Sequence, residues 1–261
     1  MQRSVGYIIM FATLVCVVCA VMVSSANVGL KDRQLENQAL DKQLNILMAS
    51  GLATPGEELD RAEIQRRFET VKPVVVDLQT SQVVEDAPIN VDTFSEAKAA
   101  GSPDLGYAAP QNGAGISRVS KYQVVYHVLD EDGGVRMVVI PIKGYGLWST
   151  LYGFLALDAD TTTIRGITYF QHGETPGLGG EVDNPRWKAL WSGRKAYDEN
   201  WEPAISVIKG QAGPASSDPH RVDGLSGATL TSNGVSNMMK FWLGEQGWGP
   251  YLKAFRERQK G

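Results

Sequence analysis

The chain has 261 residues, enough for one large domain or two small ones, and 43% of them are hydrophobic, which is ordinary for a packed core. Its net charge is −4 and no basic patch interleaves with aromatics, which excludes a nucleic-acid partner. Both cysteines, Cys16 and Cys19, fall in the first apolar stretch. The remainder therefore has no disulfide and no thiolate site, and His127, His172 and His220 show no metal-ligand spacing.

No charge appears between Arg3 and Lys31. The apolar run from Val5 is long enough to span a bilayer, which takes roughly 20 residues against about 7–15 for a signal-peptide core. Residues 5–26 are read as a transmembrane helix, although Val23-Ser24-Ser25-Ala26 is shaped like a cleavage site and keeps a signal peptide open as the alternative. Cys16 and Cys19, one turn apart, read as packing. Arg3 before the span and Lys31 and Arg33 after it leave the orientation undecided by the positive-inside count.

Leu35, Ala39, Leu40, Leu44 and Leu47 recur at three- and four-residue steps, which predicts a stalk helix over 31–51 closed by Gly51. A short helix at 57–70 and a strand at 73–78 follow. The segment 87–117, rich in Ala, Gly, Pro and Ser without a period, reads as loop or partial helix. Strands at 122–129 and 135–142 join through Glu131-Asp132-Gly133-Gly134 as a hairpin. Gly144-Tyr145-Gly146-Leu147-Trp148-Ser149 opens another apolar run through 157. A strand at 163–170 runs into the glycine-rich loop 171–180. The loop lacks the Gly-Lys-Ser/Thr ending of a nucleotide P-loop, which argues against ATP or GTP hydrolysis. Glu174 and Thr175 sit at the strand's end, where binding loops concentrate. A helix starting near Pro185, a strand at 203–210 and a polar loop at 211–220 complete this part. Trp242, Trp248 and Tyr251, in the last helices, read as core rather than as a row of redox aromatics.

Asp223-Gly224-Leu225-Ser226-Gly227-Ala228-Thr229 delivers the chain to a helix expected from Val235, with Ser232 or Asn233 as its N-cap. Thr229 follows Gly227 and Ala228, so its hydroxyl has little steric cover and suits modification or the approach of a phosphate. These seven residues resemble the flavinylation motif Asp-x-x-(Ser/Thr)-Gly-Ala-Thr, in which a flavin transferase joins FMN to the last threonine as a phosphoester. The resemblance spans nearly the full chain. It includes Ala-Leu-Asp-Lys-Gln at 39–43, Gly-Leu-Trp-Ser at 146–149, Gly-Glu-Thr-Pro-Gly-Leu-Gly-Gly-Glu-Val at 173–182 and Asp-Glu-Asn at 198–200. On these motifs the sequence is similar to the C subunit of the bacterial sodium-translocating NADH:quinone oxidoreductase. The G subunit of the ferredoxin-oxidising membrane complex shares the Thr-Pro-Gly-Leu-Gly and flavin motifs.

That resemblance implies an α+β fold: one transmembrane helix, then a mixed or antiparallel sheet with flanking helices that binds FMN. The implied division is 5–26 as the span, 27–117 as an extracytoplasmic stalk and peripheral segment, and 118–261 as the FMN-binding domain. One FMN is expected on Thr229, with Asp223, Ser226, Gly227 and Ala228 supporting the motif. Glu174, Thr175, Leu178 and Gly179 are expected beside the flavin, and Gly146, Leu147, Trp148 and Lys209 near it. No catalytic acid or base and no metal site is assigned. The implied function is electron relay in a complex that oxidises NADH, reduces ubiquinone and pumps Na⁺ across the bacterial inner membrane, with the domain on the periplasmic side. Expected partners are the sister subunits, a flavin transferase and the bilayer, and the chain alone has no complete activity. A G-type flavin subunit, a non-redox membrane-anchored binding protein and the transferase itself are the alternatives. No Mg²⁺-binding acidic cluster near a nucleotide loop supports the last.

Overall fold

The computed structural model describes residues 4–260, so Arg3, one side of the charge count, lies outside the described residues. Helix α1, Val5–Ala49, is continuous. The chain divides into two compact units, the first ending at Asp41 and the second starting at Lys42. The first is the greater part of α1, long and apolar enough to cross a membrane by length and composition. Apolar side chains are exposed all round it, as on a helix that meets lipid rather than a protein core.

The second unit starts with the last turns of α1, where Ile46 and Leu47 are fully buried. Helix α2, Arg61–Phe68, starts where the Asp60 carboxylate accepts from the Glu63 amide, an N-cap that satisfies one orphan donor of the first turn. Then come β1 (Val71–Asp77), β2 (Gln82–Val83), α3 (Glu96–Gly101), β3 (Gly106–Ala108), β4 (Arg118–Ser120), β5 (Tyr122–Leu129), β6 (Val135–Tyr145), β7 (Thr150–Asp158) and β8 (Ile164–Gln171). A 3-10 turn at Gly179–Asp183 leads to α4 (Pro185–Ala189), β9 (Ser206–Val207), β10 (Arg221–Val222), α5 (Thr229–Leu243) and α6 (Gly249–Lys260).

Six strands form one antiparallel sheet in the order β2-β1-β5-β6-β7-β8, so the sheet takes its first two strands from the segment read as peripheral. One face carries Val138, Ile140, Ile142, Leu151 and Leu155, which pack with Val235, Met238 and Trp242 of α5 and Leu252 of α6. The period of two along β6 separates this face from the other. On the opposite face the end of α1 lies against β8: Thr168 bonds Asn45 at 3.3 Å, and a Cβ on Gly166 would come within 2.6 Å of the Ala49 carbonyl oxygen. Trp242, Trp248 and Tyr251 are fully buried, and the two indoles donate to the carbonyls of Lys143 and Pro141. Burial and bonding of this kind make them core residues.

The segment 87–117, read as loop or partial helix, holds α3 and also β3. Two local expectations need correction. The strand over 203–210 shrinks to β9, a two-residue parallel pair with β10, because the Val207 amide turns to the Ser236 hydroxyl of α5. Helix α5 starts at Thr229, not at Val235. Thr, Ser, Asn and Gly are weak helix formers, but Thr231, Ser232, Gly234 and Val235 are buried against the sheet and its turns, and tertiary packing overrides propensity. Ser232, expected as the cap, lies inside the helix and accepts from the Leu225 amide.

Gly234 sets the close approach of α5 to β6, since a Cβ there would stand 2.3 Å from the Tyr145 carbonyl oxygen. Gly→Ala in a helix ordinarily gains about 1 kcal/mol, but overpacking against fixed backbone costs roughly 1–3 kcal/mol. Gly234→Ala is therefore expected to lower the denaturant midpoint, while Asn233→Ala, on the exposed side, stays within about 0.5 kcal/mol of wild type. A stabilised Gly234→Ala would show that the helix does not depend on this contact.

Candidate functional site

Three segments meet at one end of the sheet: the turn 146–149 between β6 and β7, the loop 172–180 after β8, and the start of α5. One carboxylate fastens them. Glu174, 5% exposed, accepts from the amides of Leu147 at 3.1 Å, Trp148 at 2.9 Å and Ser149 at 3.1 Å, and from the Thr231 hydroxyl at 2.7 Å. Burial alone would raise its pKa; the Thr231 hydroxyl and the three amides outweigh that and hold it below the usual carboxylate range. A second tie runs from the Gly173 amide to the Ser149 hydroxyl at 2.6 Å.

Two glycines leave room for this junction. A Cβ on Gly146 would lie 2.6 Å from one Glu174 carboxylate oxygen, and one on Gly179 would lie 2.6 Å from the other and 2.5 Å from the Thr231 hydroxyl. Glu174, Gly146 and Gly179, expected beside a bound group, are thus committed to holding the protein to itself. Thr175 is exposed, and its carbonyl accepts from the amides of Leu178 and Gly180 to close the loop.

Within the seven-residue motif, Leu225 and Ala228 are buried while Ser226, Gly227 and Thr229 are exposed. Asp223 shapes the loop: its carboxylate accepts from the Ala212 amide at 2.9 Å and its carbonyl from the Trp187 indole at 2.8 Å. Gly224 packs on the Ile208 carbonyl and donates to Gly210, which brings exposed Lys209 beside the motif. Gly227 has φ +71°, a left-handed conformation natural to glycine, and a Cβ there would meet the Leu178 side chain at 2.9 Å. The structure therefore brings 146–149, 174–179 and 223–229 together. Sequence reading missed Ser149, Leu230 and Thr231; Thr231, a second hydroxyl two residues past Thr229, was the available signal.

Thr229 is the first residue of a 15-residue helix whose N-cap, Ala228, makes no side-chain capping bond. Such an end is electropositive and favours an anion. Trp148 (66% exposed), Leu178 (44%) and Leu230 (58%) are apolar side chains left in solvent on the three segments. An exposed hydroxyl, an uncapped helix end and exposed apolar groups suit a ligand with an anionic head and a flat apolar body. Among the described residues no group of three or more His, Cys, Asp or Glu is placed to hold a metal ion.

Removing the Glu174 carboxylate would orphan three amides and a hydroxyl. Glu174→Ala is expected to destabilise the protein by roughly 1.5–3 kcal/mol, the scale of hydrogen bonds to a charged group. Because the folded-state pKa is depressed, this contribution is complete above the unfolded value near 4.3 and is lost as pH falls through the folded value. Amide hydrogen exchange at 147–149 should therefore speed up in the variant at neutral pH and in wild type only in acid. Unchanged exchange in Glu174→Ala would remove the carboxylate from this role.

The family model described as FMN-binding domain matches residues 146–244, a range that contains every residue assigned to the site. The chain is 46% identical to the C subunit of the Na(+)-translocating NADH-quinone reductase of Yersinia pestis, over 97% of this chain and 94% of that one. It is likewise 46% identical to the C subunit of the same reductase from Pseudomonas aeruginosa, over 98% of each. Among solved structures, NqrC of Shewanella oneidensis superposes with a TM-score of 0.77 at 34% identity, covering 85% of this chain and 99% of that one. Near-complete coverage at this identity leads to one conclusion: the chain belongs to the family of C subunits of the Na(+)-translocating NADH-quinone reductase, and its sheet domain is an FMN-binding domain.

Proposed function

We propose that the chain is the electron-carrying FMN subunit of a membrane complex that oxidises NADH, reduces ubiquinone and translocates Na⁺, with one FMN esterified to Thr229. The observation that carries this reading is Thr229 itself: exposed, at an uncapped helix N-terminus, at the end of the flavinylation motif and within the matched FMN-binding domain. The Oγ1–P bond would replace the hydroxyl O–H in a net condensation that adds the mass of FMN less water. FMN supplies one- and two-electron chemistry when bound.

The chain's own residues have distinct tasks on this reading. Thr229 holds the phosphate at the positive end of α5, and Ser226 and Gly227 leave the motif open to a flavin transferase. Trp148, Leu178 and Leu230 offer apolar contact, and Thr175 and Lys209 offer polar contact. Glu174 fixes the segments that carry these groups. No acid or base is required, because electron transfer depends on proximity and potential. The uncharged apolar stretch of α1 offers no ion site, which leaves the Na⁺ path to sister subunits. The domain lies on the periplasmic side on this reading, in keeping with its lack of cysteine beyond the span.

Thr229→Ala should give a folded chain without covalent FMN, and Thr229→Ser should retain some. Intact mass and flavin fluorescence after denaturing electrophoresis measure both; covalent flavin persisting in Thr229→Ala refutes the attachment site. Leu178→Ala should keep the covalent bond yet shift the flavin's midpoint potential, and an unchanged potential would remove Leu178 from the site. In intact spheroplasts, added protease should digest the domain; full protection would place it on the cytoplasmic side.

A further inference from the structure

Gly144 of β6 abuts Met238 of α5, so the next residue back, Lys143, points to the other face of the sheet. On that face a cavity of about 260 Å³ lies between α3 and the ends of β6 and β7. Its walls include Lys143, Arg118, Ser117, Tyr145, Thr150 and Tyr152. Thr229 belongs to α5, on the opposite side of the sheet, so this cavity is not the proposed flavin site.

Lys143 is only 8% exposed, yet among the described residues no acceptor forms a hydrogen bond or ion pair with its ammonium. Burial pulls its pKa below the ordinary value, and Glu96 offsets part of that through space. Glu96 has other claims on it: the Gln123 amide, with its oxygen and nitrogen exchanged to suit their neighbours, donates to its carboxylate, and Lys42, which Asp92 also faces, shares its field. The Arg118 guanidinium is spent on the neutral carbonyls of Ala100, Ser102 and Gly106. A buried cation is costly unless paired, and the Lys143 ammonium has no bonded partner.

We infer that this cavity binds one carboxylate group, with the Lys143 ammonium as its counter-charge. A single ammonium without a bonded partner fits a monoanion better than a phosphate, and the two tyrosines in the wall suit the apolar stem that a carboxylate carries. The group comes from a small organic acid or from an acidic side chain of a sister subunit; the second source rests on the proposed assembly.

The test follows the reactivity of the Lys143 amine. The full chain in detergent is reductively methylated at constant ionic strength in chloride, propionate, benzoate or inorganic phosphate, and each lysine is quantified by mass spectrometry. The expected result is that Lys143 reacts in chloride and is protected roughly tenfold by propionate or benzoate, or, in the assembled complex without additive, is protected and joined by carbodiimide to an acidic residue of another subunit. Protection by the free acids with unchanged reactivity in the complex identifies a small molecule. Protection with the cross-link identifies a sister subunit. Lys143→Met should fold and retain FMN, and it should lose any stabilisation by benzoate. The inference is overturned if Lys143 is inert in chloride, if its reactivity is the same in every condition, or if phosphate protects it as well as the carboxylates. Protection in the complex without a cross-link, or stabilisation of Lys143→Met by benzoate equal to that of wild type, overturns it equally.

Discussion

One buried carboxylate decides where the site's parts stand. Glu174 gathers the amides of Leu147, Trp148 and Ser149 and the hydroxyl of Thr231, groups from two stretches of chain distant from its own. Leaving a carboxylate out of water is expensive, and the expense is offset only because all its donors are present at hydrogen-bond distance. The junction is therefore cooperative: the turn cannot relax without stranding the charge, and neither can the first turn of α5. Gly146 and Gly179 belong to the same constraint, since any side chain there would occupy the carboxylate's space.

Rigid support beneath an exposed surface follows from this. Thr229, Trp148, Leu178 and Leu230 project into solvent, where alone they would be mobile, but each stands on backbone tied to the junction or packed on a neighbour that is. A relay cofactor needs fixed distance and a tuned surrounding more than it needs acids and bases. An ester at the head of α5 would place the phosphate's charge where the helix field favours it, and would exclude loss of the flavin by dissociation. Close contact of α5 with β6 through Gly234 carries the same rigidity into the sheet.

Much of this was legible in the sequence, for reasons that differ from residue to residue. The apolar run from Val5 and the alternating strands of the hairpin announce themselves through local pattern, which needs no tertiary context. The motif ending at Thr229 is legible through chemistry, as a hydroxyl beside residues with almost no side chain. The start of α5 was not, because Thr-Leu-Thr-Ser-Asn-Gly has poor helix propensity and becomes helical through burial against turns far away in sequence. Glu174 was found as a site residue, but its bonds to the turn 147–149 and to Thr231 were not foreseen. A glycine-rich loop with one acid reads equally as a ligand cradle or as room for an internal carboxylate, and only the partners' positions separate the two. The strand over 203–210 failed because the Val207 amide and carbonyl bond the Ser236 side chain, which a strand pattern cannot anticipate.

The most direct measurement of the account is a crystal structure of the flavin-loaded chain. The account predicts continuous density from the Thr229 hydroxyl oxygen into the FMN phosphate, the ring against Trp148 and Leu178, and Glu174 still bonded to the turn and to Thr231. An unmodified Thr229, or a flavin held on the opposite face of the sheet, would contradict it.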